Sequence, residues 1–305
     1  MGCHVIGSMD RLGTAKVVHF LRSLRNVGFD GDIHMLVRRE SAATLRDLAD
    51  ADVHVHPVPV SSFQIVVDRF RTLSDVCDTL DPDDWVVAAD TTDIVFQRNP
   101  MDYLSLIPDD KRIVVASECI PFQYQWWTAP NLMMSFPEHW QSMKDKVFYN
   151  AGSIGGRACD IAELSREIYG MCIVKPKATG HDQAAMNILL QSDQFRDRTL
   201  FSRANGGWCY CIASTIQAKP HERKWLQEPL CKMVGPVCVT EGGTIPVMFH
   251  HYNRDHRLDK LIRRHVDEQY ASNAVEKRLR RVRMKVDLIR ESLCAVKRTL
   301  GQIPG

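Results

Sequence analysis

Short apolar runs alternate with longer amphipathic stretches through the first two thirds of the chain. The runs have the length of β-strands, and the stretches between them repeat apolar residues at the spacing of one helix face. The predicted strands are residues 3–8, 33–37, 53–60, 85–89 and 112–117, and the predicted helices are residues 13–27, 41–48 and 62–80. Such alternation is typical of a largely parallel sheet with helices on both faces, so we expect a Rossmann-like α/β fold.

The pattern changes beyond this region. Residues 201–249 are rich in Gly, Pro and Cys and predict irregular loops with short strands, whereas from about Asp255 the pattern is purely helical. We therefore predict a globular domain over residues 1–254 and a basic, amphipathic helical tail over residues 255–305. The whole chain has a net charge of +2, but from residue 254 onward 14 Lys and Arg stand against 7 Asp and Glu. Because a nucleic-acid binder usually carries its basic surface on the folded domain, this distribution argues against nucleic acid as a partner.

The tail has a regular apolar seam. From Val275 to Leu300, apolar residues recur at alternating spacings of four and three, and Asn273 with Glu276 resembles a helix-capping pair at its start. Three roles stay open for residues 273–300: packing along their own domain, self-association, and peripheral contact with an anionic membrane. Salt-sensitive cosedimentation with anionic vesicles would indicate the membrane role. A salt-resistant dimer would indicate self-association, and a monomer that loses stability on truncation would indicate packing.

Composition also suggests where the protein works. No apolar run reaches the roughly 18 residues of a membrane span, and no charged segment with a long apolar region opens the chain, so we expect a cytoplasmic protein without a secretory signal. The 10 cysteines are scattered, which favours free thiols in a reducing compartment. Cys209 and Cys211 form a C-x-C, but no second pair with zinc-like spacing follows, so a zinc site is not expected there.

Two carboxylates follow the nearly all-apolar strand over residues 85–89. Asp90 and Asp93 stand at its carboxyl end, where ligands bind in sheets of this kind. Buried carboxylates need a neutralising partner, and a Mg²⁺ or Mn²⁺ ion shared with a diphosphate would supply one. The alternative is a capped turn in which the two aspartates accept backbone hydrogen bonds.

Three further segments contain candidate ligands. Asn150 and Gly152 lie in a glycine-containing segment that lets a ligand approach the backbone, although such a segment also suits a turn between strands. Asp182 begins a predicted helix, where it is either a functional carboxylate or an N-cap. His250 and His251 end an apolar strand, where a histidine is either structural or a metal ligand.

In this order and spacing, the four segments resemble the GT-A fold glycosyltransferases that use nucleotide sugars. They look most like the retaining branch that includes glycogenin and bacterial lipopolysaccharide galactosyltransferases. The resemblance extends from about residue 3 to residue 254, and the segment from Asp90 to Gln97 is similar to that branch's Asp-Ser-Arg-Asp-Val-Phe-Phe-Gln motif. Here Thr91 and Thr92 occupy the middle of the motif, so its two aspartates keep an Asp-x-x-Asp spacing.

The resemblance implies a role for each candidate. The implied metal ligands are Asp90, Asp93 and His250, with His251 as an alternative to His250 and the donor ribose as an alternative partner for Asp90. The implied reaction-centre residues are Asn150, Asp182 and Gln183, with Asn150 binding the donor sugar. The implied nucleotide-sugar contacts are Ser8, Asp90, Asp93, Arg69 and Gly152, although Arg69 and Arg71 also suit solvated surface positions.

The function implied is metal-dependent transfer of a sugar, with Mn²⁺ or Mg²⁺, from a nucleoside-diphosphate sugar to a glycan or lipid-linked acceptor. The resemblance favours retention and a place in polysaccharide biosynthesis; with inversion, Asp182 would be the general base. The donor half would span about residues 1–118 and the acceptor half about residues 119–254. Trp126, Trp127 and Trp208 are candidates for stacking on sugars or for core positions. The alternatives are a sugar-1-phosphate nucleotidyltransferase and an inactive sugar-binding relative.

Overall fold

A computed structural model describes residues 2–174, 181–213 and 219–274. The strands are β1 (Cys3–Asp10), β2 (Asp32–Arg38), β3 (Val53–Pro57), β4 (Trp85–Asp90), β5 (Ile94–Phe96), β6 (Ile113–Pro121), β7 (Val147–Arg157), β8 (Thr199–Ser202), β9 (Cys209–Cys211), β10 (Lys232–Val234), β11 (Val237–Val239) and β12 (Met248–His250). The α-helices are α1 (Thr14–Asn26), α2 (Ala42–Asp50), α3 (Ile65–Cys77), α4 (Met101–Leu104), α5 (Thr128–Ser135), α6 (Trp140–Met143), α7 (Ala158–Ile173), α8 (His181–Leu190) and α9 (Pro220–Arg223), and a further helix covers residues 256–274.

A seven-stranded sheet with the order β3-β2-β1-β4-β7-β6-β8 forms the centre of the fold. Strands β3, β2, β1 and β4 are parallel, β8 is parallel to β6, and β7 lies antiparallel between β4 and β6. Helices α3 and α7 pack on one face, and α1 and α2 pack on the other. The predicted α/β architecture with a mostly parallel sheet and helices on both faces is confirmed.

A smaller sheet crosses the carboxyl edge of the central one. Its order is β5-β12-β9, with β12 antiparallel to β5 and parallel to β9. The register aligns His250 with Ile94. The last residue of β12 therefore lies beside the residue that follows Asp93, although the two segments are far apart in the sequence.

The glycine-containing segment forms strand β7, and the turn interpretation is wrong. Gly155 shows why glycine suits this strand: an ideal β-carbon there would lie 2.7 Å from the Trp208 ring atom Cζ2. Trp208 is fully buried and donates its indole N–H to the carbonyl oxygen of Ser153 at 3.0 Å. The close approach of the Trp208 ring thus requires a glycine at this point of β7.

The helix over residues 256–274 packs against α1. Asp267 pairs with Arg22 at 2.7 Å, and Asn26 donates its side-chain N–H to the carbonyl oxygen of Val266 at 2.8 Å. Asn273 lies inside this helix, so the prediction that it caps a helix start is wrong. The seam from Val275 to Leu300 falls outside the described residues. No helix among those the structure describes has both the length and the apolar character needed to cross a bilayer.

The packing at β7 yields a stability prediction. Gly155→Ala should lower the free energy of unfolding by about 1–3 kcal/mol, because its new methyl group must displace a buried tryptophan ring. Gly170→Ala is the matched control, since Gly170 lies on α7 with no atom within 4 Å of its ideal β-carbon. That change should raise the free energy of unfolding by about 0.5–1 kcal/mol. Urea denaturation measures both, and equal stability of the two variants would contradict the packing argument.

Candidate active site

The two aspartates of the acidic segment lie where the two sheets meet. Asp90 ends β4 and aligns with Ser8 on the neighbouring strand β1. Thr91 donates its hydroxyl hydrogen to the carbonyl oxygen of Ser8 at 2.7 Å, which fixes the turn after β4. Asp93 comes two residues after Thr91, and its carbonyl oxygen accepts a hydrogen bond from the backbone N–H of His251 at 2.9 Å. These contacts hold both aspartates against the end of β12.

His250 completes a compact cluster with the two carboxylates. Its Nε2 atom lies 3.3 Å from Asp93 Oδ1 and 3.7 Å from Asp90 Oδ2. The ring is fully buried, and this nitrogen faces the two carboxylates as an ion pair without a well-aligned hydrogen bond to either. One imidazole nitrogen and two carboxylate oxygens facing one point form a donor set that suits Mn²⁺ or Mg²⁺.

Gly152 lets strand β7 approach the acidic cluster closely. An ideal β-carbon at this position would lie 2.3 Å from Asp90 Oδ2 and 2.9 Å from His250 Cε1. Any side chain here would therefore collide with the carboxylate and the imidazole and push them out of their present arrangement. The donor set of Asp90, Asp93 and His250, which glycine at this position permits, fits a divalent cation.

The charges of the cluster are coupled. Burial lowers the pKa of His250, but the adjacent Asp93 and Asp90 carboxylates more than reverse this and raise it to about 9. Burial acts to raise the pKa of Asp93, yet His250 outweighs it, and the result lies well below the usual range. Asp93 is therefore anionic at neutral pH, and His250 carries a proton that a bound metal ion would have to displace.

His251 is placed differently from His250. Its backbone is left-handed, with φ of 65°, and its ring stacks on the His250 ring with 3.7 Å between centroids. Its side chain also lies within 4.8 Å of the Asp93 and His250 donor atoms. Of the two histidines, His250 faces both carboxylates, so the geometry favours it as the ligand.

Arg69 is a buried part of the site, and the surface interpretation is wrong for this residue. From α3, its Nη1 contacts Asp90 Oδ1 at 2.5 Å and its Nη2 lies 3.5 Å from Asp182 Oδ2. The same nitrogen donates to the carbonyl oxygen of Ala151 at 3.2 Å. Arg69 therefore joins carboxylates from β4 and α8, whereas Arg71 is exposed.

The expected sugar-binding residues lie beside this network. Asn150 Oδ1 accepts the backbone N–H of Gly152 at 2.7 Å, and Gln183 Oε1 accepts the backbone N–H of Ala151 at 3.3 Å. Asp182 is 5 % exposed, and burial raises its pKa, with Arg69 opposing the change. The structure thus brings β7 and the first turn of α8 together next to the acidic cluster.

Glu118 is a site residue that the sequence interpretation missed. It is buried on β6, and its Oε1 accepts a hydrogen bond from Asn150 Nδ2 at 2.5 Å. Burial raises its pKa, while Asn150 acts in the opposite direction. The sequence pattern could have identified Glu118 as a candidate. It directly follows the predicted strand over residues 112–117, just as Asp90 follows the strand over residues 85–89.

The C-x-C segment also reaches this region. Cys209 and Cys211 on β9 lie with His250 in a group whose donor atoms are within 4.8 Å of one another. Cys211 Sγ is 3.8 Å from His250 Nδ1. His250 thus has thiol groups near one ring nitrogen and carboxylates near the other. The spacing of cysteines in the sequence did not reveal this, since β9 and β12 bring the residues together.

A cavity of about 480 Å³ opens next to the cluster. Residues of the candidate site and two tryptophans share its wall, which includes Glu118, Trp126, Trp127, Asn150, Gln183 and Arg254. Trp126 and Trp127 are 53 % and 47 % exposed, and Lys219 Nζ lies 3.8 Å from the centroid of the Trp126 ring. Trp208 belongs to the core, and its interpretation as a sugar-stacking residue is wrong.

Comparison with known proteins identifies the fold. No protein-family profile and no curated protein sequence matches the chain. Among solved structures, the chain is similar to the galactosyltransferase LgtC, crystallised with donor and acceptor sugar analogues, with a TM-score of 0.52 and 13 % identity. The match covers 88 % of this chain and 95 % of that one. The chain therefore has a GT-A-like fold, as the sequence predicted.

The Arg69 network yields a prediction with an internal control. Arg69→Ala should lower the free energy of unfolding by about 3 kcal/mol or more, because it leaves the buried Asp182 without its cation. Arg71→Ala removes an exposed arginine from the same helix and should change it by less than about 0.5 kcal/mol. Chemical denaturation measures both. Similar losses in the two variants would mean that Arg69 is not the counter-ion that this site requires.

Proposed function

We propose that this protein is a metal-dependent glycosyltransferase that transfers a sugar from a nucleoside-diphosphate sugar to a glycan or lipid-linked acceptor. The observation that carries the proposal is the convergence of Asp90, Asp93 and His250 beside a cavity in a GT-A-like fold. The LgtC structure was solved with donor and acceptor sugar analogues, which supports the same class of ligands here.

Asp93, His250 and Asp90 would hold Mn²⁺ or Mg²⁺. When bound, the cation neutralises the charge that develops on the leaving diphosphate. The protein holds the donor atoms of these three side chains in place. Arg69 contacts Asp90 Oδ1 and leaves Oδ2 facing His250, so the salt bridge orients the carboxylate toward the metal site.

Asp182 and Gln183 would lie next to the reacting sugar carbon, with Asn150 binding the sugar. The breaking of the sugar–phosphate bond places positive charge on the sugar ring. The carboxylate of Asp182, which contacts Arg69, and the amide oxygen of Gln183, which accepts the backbone N–H of Ala151, would stabilise that charge. We propose retention of configuration, and NMR observation of the first anomer formed distinguishes retention from inversion.

Trp126 and Trp127 would form the acceptor side. Both rings are about half exposed on the cavity wall that also contains Asn150 and Gln183. Exposed aromatic rings offer flat apolar surfaces on which the apolar face of a sugar can stack. The cavity volume of about 480 Å³ lies within the range of small-molecule sites.

The direct test is a panel of nucleotide sugars scored for metal-dependent hydrolysis and transfer. With the preferred donor, Asp93→Ala and His250→Ala should lower turnover about 100-fold or more, because each removes a metal ligand. Asp109→Ala and His256→Ala are matched controls, since they remove an exposed carboxylate and an exposed imidazole and should leave turnover unchanged. Circular dichroism checks that each variant is folded.

Full turnover in excess EDTA would contradict the metal requirement. Product formed from a sugar 1-phosphate and a nucleoside triphosphate, with no transfer from nucleotide sugars, would indicate a nucleotidyltransferase instead. Donor binding without hydrolysis or transfer, under metal-replete conditions and with every acceptor tried, would indicate a sugar-binding protein that lacks catalysis.

A second prediction separates sugar contacts from nucleotide contacts. Asn150→Ala and Asp182→Asn should lower kcat about 100-fold, because both residues are assigned to the sugar in the transition state. Their affinity for the nucleoside diphosphate, measured by calorimetry with Mn²⁺ present, should change less than about threefold. Loss of nucleotide affinity equal to the loss of turnover would show that the residues bind the nucleotide.

A further inference from the structure

A second group of candidate metal ligands lies at the amino edge of the central sheet. His4 on β1 aligns with Asp32 on β2, and His34 on β2 aligns with His54 on β3. Residues two apart in a strand share a face, so these side chains, and that of His56, lie on one face of three adjacent strands. His4 is about 13 Å along β1 from Ser8, the neighbour of Asp90, so this group is separate from the candidate active site.

The donor atoms of three of these residues converge. His4 Nδ1 lies 3.1 Å from His34 Nε2 and 3.6 Å from Asp32 Oδ2, and all three atoms are within 4.8 Å of one another. Two ligands of a tetrahedral zinc ion with bonds of 2.0–2.1 Å are separated by about 3.3 Å. The two distances from His4 Nδ1 therefore match the spacing of ligands around one small cation.

The outer nitrogens of the two rings are held by other groups. His4 Nε2 contacts Asp84 Oδ2 at 3.3 Å, and His34 Nδ1 contacts His56 Nε2 at 3.0 Å. A metal-bound histidine usually engages its second ring nitrogen with a carboxylate or another acceptor, which fixes the ring orientation. Both rings meet this requirement, and both are buried.

We propose that His4, Asp32 and His34 form a second metal site, selective for Zn²⁺ or a similar transition ion. Imidazole nitrogens combined with one carboxylate favour such ions over Mg²⁺. The site is open to solvent on one side, because the side chains of Asp32 and His54 are 58 % and 57 % exposed. His54 Nε2 is 3.6 Å from Asp32 Oδ1, close enough to offer a fourth ligand after a side-chain rotation.

Bound metal would link β1 to β2, and with His54 also β3, which is the edge strand of the sheet. An ion that binds the folded chain stabilises it in proportion to the logarithm of its concentration above the dissociation constant. The role we assign to the site is therefore structural. It secures the first strands of the domain on which the active site is built.

The competing interpretation is a hydrogen-bonded ladder without metal. His56 would donate to His34, His34 to His4, and His4 to the Asp84 carboxylate. This arrangement satisfies the contacting nitrogens and needs no ion. The two interpretations differ in whether the protein binds one equivalent of Zn²⁺ that depends on Asp32.

The test uses the full chain, stripped of metal with EDTA and freed of the chelator, and titrated with ZnCl₂ by calorimetry and thermal denaturation. The cysteine cluster and the candidate active site also offer ligands, so the measured quantity is the change in stoichiometry between variants. Asp32→Asn and His34→Gln should each lose one equivalent. Asp84→Asn should keep the equivalent but bind it about 10–100-fold more weakly.

His256→Gln is the control, because it removes an exposed imidazole that is not part of the His4, Asp32 and His34 group, and this variant should bind as much Zn²⁺ as the unmodified protein. If His34→Gln fails to fold, Asp32→Asn still decides the question, since its side chain is largely exposed. Unchanged stoichiometry and affinity in Asp32→Asn would overturn the proposal and leave the hydrogen-bonded ladder. An equal loss in His256→Gln would also overturn it, because it would show unspecific binding to surface histidines.

Discussion

The candidate site depends on the buried guanidinium group of Arg69, which pairs with two carboxylates from distant parts of the chain. Asp90 comes from the end of β4 and Asp182 from the start of α8, and Arg69 on α3 contacts both. The buried Asp182 charge costs several kcal/mol in lost hydration and requires a counter-ion, whereas the side chain of Asp90 is 35 % exposed. The planar guanidinium group of Arg69 contacts both carboxylates at once. Because it contacts Asp90 Oδ1, it also sets the direction in which Asp90 presents Oδ2. The position of the proposed metal site thus follows from the packing of α3 against β4 and α8.

The architecture was readable from the sequence because it rests on local patterns. Apolar runs of strand length alternate with amphipathic helices, which is the pattern of a mostly parallel sheet covered by helices on both faces. The fold class could be predicted for this reason. The roles assigned to Asp93, His250, Asn150 and Asp182 remain predictions, although the structure places them together.

What the sequence could not show depends on contacts between distant segments. Strand β7 contains four glycines or alanines in a short stretch, and only its antiparallel pairing with β4 and β6 makes it a strand. The sequence left Arg69 as either a nucleotide-sugar contact or a surface charge, since nothing near it in the sequence indicates that it contacts two carboxylates. The group formed by Cys209, Cys211 and His250 likewise exists only because β9 pairs with β12. In each case the decisive partner lies tens of residues away.

The absence of a side chain at Gly152 has a consequence for engineering. A β-carbon there would collide with both Asp90 and His250, so any side chain at this position would displace the groups of the proposed metal site. Diversity has to be introduced elsewhere to change substrate preference. The half-exposed rings of Trp126 and Trp127 offer that freedom, because they face the cavity without supporting the acidic cluster. Changes at these two rings should therefore alter the lining of the cavity while the acidic cluster stays in place.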